Sequence, residues 1–153
     1  RGQTQWVSLI APETLLILKG DVQLATQSLL RLEQFGMGGA DTVRGYRQNT
    51  FISDNGLLAS AEVRIPIVRF PELEGLLQIA PFVDFGAIWN QSGNPDPDPD
   101  PNVLVSTGIG LRLRLGDRLS ARFDWGIPLV DVPTSDRTLQ EEGLYFSLTY
   151  QIY

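Results

Sequence analysis

From residue 56 onward apolar and polar side chains alternate with a period of two, and that period admits paired extended strands and little else. Over 56–67 the odd positions Leu57, Ala59, Ala61, Val63, Ile65 and Ile67 are apolar, while Ser60, Glu62 and Arg64 take the other face. Over 76–89, Leu77, Ile79, Val83, Phe85, Ala87 and Trp89 oppose Gln78, Ala80, Phe82, Asp84 and Gly86. The segment 103–115 sets Val103, Val105, Ile109, Leu111, Leu113 and Leu115 against Ser106, Gly108, Gly110, Arg112 and Arg114. The segment 118–129 sets Leu119, Ala121, Phe123, Trp125, Ile127 and Leu129 against Ser120, Arg122, Asp124, Gly126 and Pro128, and Gly116-Asp117 between the two fits a two-residue hairpin. The last segment, 144–153, continues with Leu144, Phe146, Leu148, Tyr150 and Ile152 against Ser147, Thr149 and Gln151. Upstream, 14–25 alternates less cleanly and 5–11 is ambiguous, which makes seven expected strands in all.

The connections are sorted by length. Residues 68–75 and 116–117 make short links, whereas 26–55, 90–102 and 130–143 make long ones. Antiparallel outer-membrane barrels have short turns at one end and long loops at the other, and a soluble sandwich has no reason to do so. No stretch reaches 18 consecutive apolar residues, which excludes a helical span but not strands of about 9–11 alternating residues. The opening Arg1-Gly2-Gln3-Thr4 has no apolar signal region and reads as the middle of a longer chain.

Alternation alone also fits a half-buried soluble sheet, so the polar face must discriminate. Lys19, Asp21, Glu62, Arg64, Asp84, Arg112, Arg114, Arg118, Arg122 and Asp124 lie on it, in a chain whose only lysine is Lys19. Arginine suits a confined polar interior because its planar fork satisfies several carboxylates together. Trp89, Trp125 and Tyr150 fall near strand ends on the apolar face, as in an interfacial aromatic girdle. The expected fold is therefore all-β: an antiparallel transmembrane β-barrel wall in contact with outer-membrane lipid.

Composition removes most chemistry. With no Cys and no His there are no disulfides, thiolate nucleophiles, histidine metal sites or histidine triads. A net charge of -6 gives no basic surface for nucleic acid. Most familiar catalytic constellations are therefore excluded, and no cofactor or metal site is expected. The acidic Pro-Asp run within 90–102 favours an extended, unpaired spacer. Weak Ca²⁺ binding by Asp96, Asp98 and Asp100 is the sharper alternative, but those residues lack the glycine turn of a calcium loop.

The long segment 26–55 has little strand periodicity, and a loop of that length in a compact protein is functional or disordered. It contains Phe35, Gly38, Gly39 and Thr42 and then Val43-Arg44-Gly45-Tyr46, glycines that permit tight backbone beside a charge and a ring. A phosphate loop would need a following Lys-Ser or Lys-Thr and a strand-to-helix setting, and neither is present. A second cluster, Phe82-Val83-Asp84-Phe85-Gly86, lies on the strand after next.

These two clusters resemble the paired motifs of the Omp85/TpsB superfamily, whose sixth extracellular loop folds back into the barrel with a Val-Arg-Gly-Phe or Val-Arg-Gly-Tyr tip. In that superfamily a Phe-x-Asp-x-Gly motif lies on a lumen-facing strand. The resemblance implies that Arg44 pairs with Asp84 and fixes the loop inside the barrel; Glu62, on the same face of the neighbouring strand, is a rival partner. Arg47-Gln48-Asn49 and the stretch 53–66 most resemble the two-partner-secretion transporters of the ShlB/FhaC/HecB type, cyanobacterial ones in particular.

By that resemblance residues 1–153 are the C-terminal part of the barrel domain, roughly the last seven strands of about sixteen. Periplasmic POTRA domains and a plug helix would lie upstream. The implied function is export of an unfolded exoprotein of the hemolysin or adhesin class across the outer membrane of a Gram-negative-type bacterium. The alternatives are an Omp85-type insertase that assembles other barrels, distinguished by its upstream domains, and a soluble β-sandwich binding module. The terminal aromatic Tyr153 is one residue out of phase with the apolar series 144–152, a departure from the usual outer-membrane ending.

Overall fold

A computed structural model describes residues 1–132 and 142–152. Part of the 130–143 connection and the terminal Tyr153 lie outside the described residues. Seven strands form one antiparallel sheet in chain order: β1 (Gly2–Ala11), β2 (Thr14–Gln23), β5 (Asn55–Phe70), β6 (Gly75–Trp89), β7 (Val103–Leu115), β8 (Leu119–Pro128) and β9 (Leu144–Tyr150). Every strand pairs with its sequence neighbour in the sheet, and the sheet does not close on itself among these residues. It is one wall of a barrel.

Burial runs opposite to that of a soluble sheet. Asp84 and Asp124 are 0% exposed, while Phe85 and Trp125, one residue along, are 37% and 48% exposed. Val83, Ile109, Leu111, Phe123 and Ile127 likewise face outward on the apolar side. In water an apolar surface on this scale would be unstable, whereas in a bilayer it is the face that meets lipid. The period-two pattern and the exposure pattern thus assign the charged side to the interior.

β5 runs to Phe70, which shortens the link expected over 68–75 to 71–74, and three further details differ from the sequence expectation. The hairpin between β7 and β8 has a three-residue turn, with Leu115 paired to Leu119, so Arg118 lies in the turn and not on the interior face. Gly116 takes the positive φ of 55° that the turn needs. The second difference is that β1 begins at Gly2, earlier than the ambiguous alternation suggested, and pairs along β2 from Gly2↔Val22. Third, the 26–55 segment contains a small antiparallel pair, β3 (Phe35–Met37) with β4 (Phe51–Ser53). Three-residue strands are too short to show a period.

The β3–β4 pair lies over the interior face at the long-loop end. Phe35, Met37, Val43 and Tyr46 from this segment form a buried cluster with Leu58, Ile88 and Leu104 from β5, β6 and β7. Each of the large side chains buried there is worth about 1.5–3 kcal/mol relative to exposure. The interior therefore has two halves along the strands. The half nearer the long loops is covered by apolar loop side chains, and the half nearer the short turns carries charge.

Candidate functional site: a loop tip on a carboxylate and arginine cluster

Antiparallel register lines up the receiving surface. Ser60, Asp84 and Ser106 are consecutive cross-strand partners over β5, β6 and β7, and the next row runs Glu62, Phe82, Gly108 and Gly126 over β5 to β8. Asp84 and Glu62 thus stand on adjacent rows of one face, with Phe82 the cross-strand partner of Glu62. The two glycines that follow Phe82 keep the row shallow.

Arg44 descends onto this surface. Its Nε and Nη2 donate to the two oxygens of Asp84 at 2.7 and 2.8 Å, a bidentate fork, and its Nη1 donates to Glu62 Oε2 at 2.6 Å. Its backbone amide also donates to Asp84 Oδ2 at 3.1 Å, so the motif's main chain and side chain grip the same carboxylate. The guanidinium lies over the Phe82 ring, 3.4 Å from its centroid. The Ser60 hydroxyl donates to Asp84 Oδ1 at 2.6 Å. Burial alone would lower the pKa of Arg44, but the hydrogen bonds and charges of Asp84 and Glu62 outweigh it and hold the group above its ordinary value.

The cluster extends beyond these three residues. Arg112 Nη2 donates to Glu62 Oε2 at 2.8 Å and to Asp124 Oδ1 at 2.7 Å, and Arg64 Nε donates to Glu62 Oε1 at 2.8 Å. Arg122 Nε also pairs with Asp124, while its Nη2 donates to the Ala40 carbonyl of the loop at 3.0 Å. Arg112 and Arg122 are direct cross-strand partners, an arrangement that like charges alone would oppose. Asp124, fully buried and bonded to both, offsets it.

The expected site residues are arranged unequally. Val43, Arg44, Gly45, Tyr46, Phe82, Asp84 and Glu62 meet at the tip, and Glu62 is a second partner of Arg44, not a rival to Asp84. Gly86 supplies a slot: a Cβ there would lie 2.5 Å from Met37 Sδ and 2.8 Å from Val43 Cγ2. Phe35 belongs to the apolar cluster, and the Arg1 guanidinium lies over its ring, 5.1 Å from the centroid. Gly38 and Gly39, with φ of 106° and 107°, shape the turn that returns the chain, where the Gly39 amide donates to the Val43 carbonyl at 3.1 Å. Thr42 stays outside the charged cluster, and its hydroxyl has no hydrogen-bond partner among the described residues.

Sequence reasoning placed Arg64, Arg112, Arg122 and Asp124 on the interior face but did not link them to Arg44. Tyr145 was missed altogether, although its phase, shared with Ser147, points inward. Further out, Asp54 secures the base of the loop: it accepts from the Leu29 amide and Gln34 Nε2 through Oδ1, and from the Gln91 amide and Asn94 Nδ2 through Oδ2. Burial would raise its pKa, but these four donors bring it down to about 2. Asp54 thus ties the 26–55 loop to the acidic 90–102 loop. In the latter, Asp98 accepts from the Asn90 amide at 2.6 Å, and among the described residues no three acidic groups converge as a metal site.

The ion cluster lies on the inner face of the wall, between the strands and the 26–55 loop. It fixes the position of a polypeptide segment. Residues 6–152 match the family model described as the Omp85 superfamily domain. No curated protein matches the chain.

Proposed function

Because the chain belongs to the Omp85 superfamily, whose members translocate or assemble proteins at the outer membrane, we propose that it forms the C-terminal wall of a two-partner-secretion transporter. In this reading an unfolded exoprotein of the hemolysin or adhesin class passes through the lumen. The 26–55 loop is the internal element that cargo must pass or displace, and Val43, Arg44, Gly45, Tyr46 and Asp84 hold it. Arg44 is the observation that carries the reading. One guanidinium 4% exposed, with a fork onto Asp84 and a third bond to Glu62, gives the loop a defined seat on the inner face of the wall.

A buried ion pair is a weak source of net stability but a strong constraint on geometry, because removing one partner leaves a charge uncompensated. That suits a segment whose position, more than its stability, governs passage. The likeness of 53–66 to secretion transporters favours export of a dedicated partner over assembly of other barrels.

The test uses the full-length protein co-expressed with a candidate exoprotein of the hemolysin or adhesin class. Arg44→Ala should lower export at unchanged outer-membrane levels. Full export with a displaced loop would refute the role given to the seat. A general loss of other outer-membrane barrels on depletion would favour the insertase instead.

A further inference from the structure

The loop tip rests on more than its guanidinium. The Gly45 amide donates to the Tyr145 hydroxyl at 3.0 Å, and that hydroxyl donates to the Tyr46 carbonyl at 2.5 Å. One phenol thus satisfies a backbone donor and a backbone acceptor of the tip, groups that would otherwise be left unpaired in a largely enclosed place. Tyr145 is the second residue of β9 and the cross-strand partner of Asp124, so it rises from the same interior face as the ion cluster.

Glycines make the approach possible. A Cβ on Gly126 would stand 2.5 Å from the Gly45 nitrogen and 2.7 Å from the Arg44 carbonyl carbon. A Cβ on Gly143 would stand 1.9 Å from the Gly126 oxygen and 3.2 Å from Gly45 Cα. The Gly126 amide donates to the Gly143 carbonyl at 2.8 Å, which extends the β8–β9 pairing past Trp125↔Leu144. The tip's backbone therefore lies in a notch made where β8 meets β9. On the other flank the Tyr46 hydroxyl accepts from the Val130 amide at 3.0 Å and lies 2.8 Å from the Val105 carbonyl oxygen.

Strand β9 has seven residues and, among the described residues, pairs with β8. We infer that Tyr145 is a positioning residue that couples the seat of the loop to the pairing of β9. The docked tip braces the start of β9 against β8, and withdrawal of the tip releases that brace. By linkage, whatever pairing of β9 adds to docking, docking adds to pairing of β9.

The test is amide exchange of 144–150 in the full-length protein in lipid nanodiscs, with thiol labelling of a Val43→Cys probe as the report on the loop. Tyr145→Phe, which removes only the hydroxyl, should raise both rates by roughly 5- to 100-fold, the effect of two net hydrogen bonds. Arg44→Ala should speed β9 exchange when Tyr145 is present and add less than about twofold on top of Tyr145→Phe. Rates unchanged by Tyr145→Phe, or an equal Arg44→Ala effect in both backgrounds, would overturn the coupling. Neither readout involves cargo, so this inference and the secretion reading fail separately.

Discussion

Asp84→Asn should shift the docking equilibrium of the loop tip by about two orders of magnitude, and the reason lies in how the cluster's charges are shared. Among the described residues Asp84 has one cationic partner, Arg44, which meets it through bonds of 2.7 and 2.8 Å, whereas Glu62 is shared by Arg44, Arg64 and Arg112. Hydrogen bonds to charged groups contribute about 1.5–3 kcal/mol each, so the fork onto Asp84 is worth about 3–6 kcal/mol. Asparagine keeps one acceptor, which leaves a loss of about 3 kcal/mol, and every 1.4 kcal/mol is tenfold. Glu62→Gln removes one of the four bonds that the Arg44 guanidinium and amide make to Asp84 and Glu62, and keeps an acceptor. Its cost should be about 1 kcal/mol, roughly fivefold. The assay is the labelling rate of Val43→Cys, a position 0% exposed when the tip is docked, in a stretch of chain with no other cysteine. Labelling of Asp84→Asn within twofold of the parent, or a larger effect from Glu62→Gln than from Asp84→Asn, would refute the reasoning that sole partnership sets the magnitude.

Asp54, held at about 2 against an ordinary 3.8, is an acid with a depressed pKa, so its contribution is full above the unfolded value and is lost as pH falls from about 4 through 2. Proteolysis of the 26–55 loop should rise over that window, and the rise should be smaller in Asp54→Asn, which lacks the titrating group. Gly126→Ala places a methyl 2.5 Å from the Gly45 nitrogen, against backbone that cannot give way, so thiol labelling at Val43→Cys should increase while membrane insertion of the protein is retained. On the outer face, Val83→Arg, at a residue 48% exposed near the middle of β6, should cost about 2–4 kcal/mol in the bilayer and lower the amount of heat-modifiable, folded barrel on gels. The same substitution in a soluble sheet's solvent face would be nearly neutral.

The period of two determined a great deal without any structure. Because successive residues of a strand take opposite faces, the alternation alone divided Asp84, Asp124, Glu62 and Arg112 from Phe85, Trp125, Val83 and Leu111, and the tertiary exposure follows that division. The paired motifs at Val43–Tyr46 and Phe82–Gly86 were equally legible, since each is a short run of residue types. Boundaries were less so: Arg118 belongs to the turn, because three residues link β7 to β8, and the three-residue strands β3 and β4 have no period to read. What only the tertiary structure decided is which charge meets which. Arg44 reaches Asp84 across 40 residues of chain and Asp124 across 80, and those meetings depend on strand register and on the path of the loop. The notch of Gly126 and Gly143 under the tip, and Tyr145 above it, were invisible for the same reason. The alternation gives Gly126 and Tyr145 a face but not a role, which exists only once another segment's backbone lies against them.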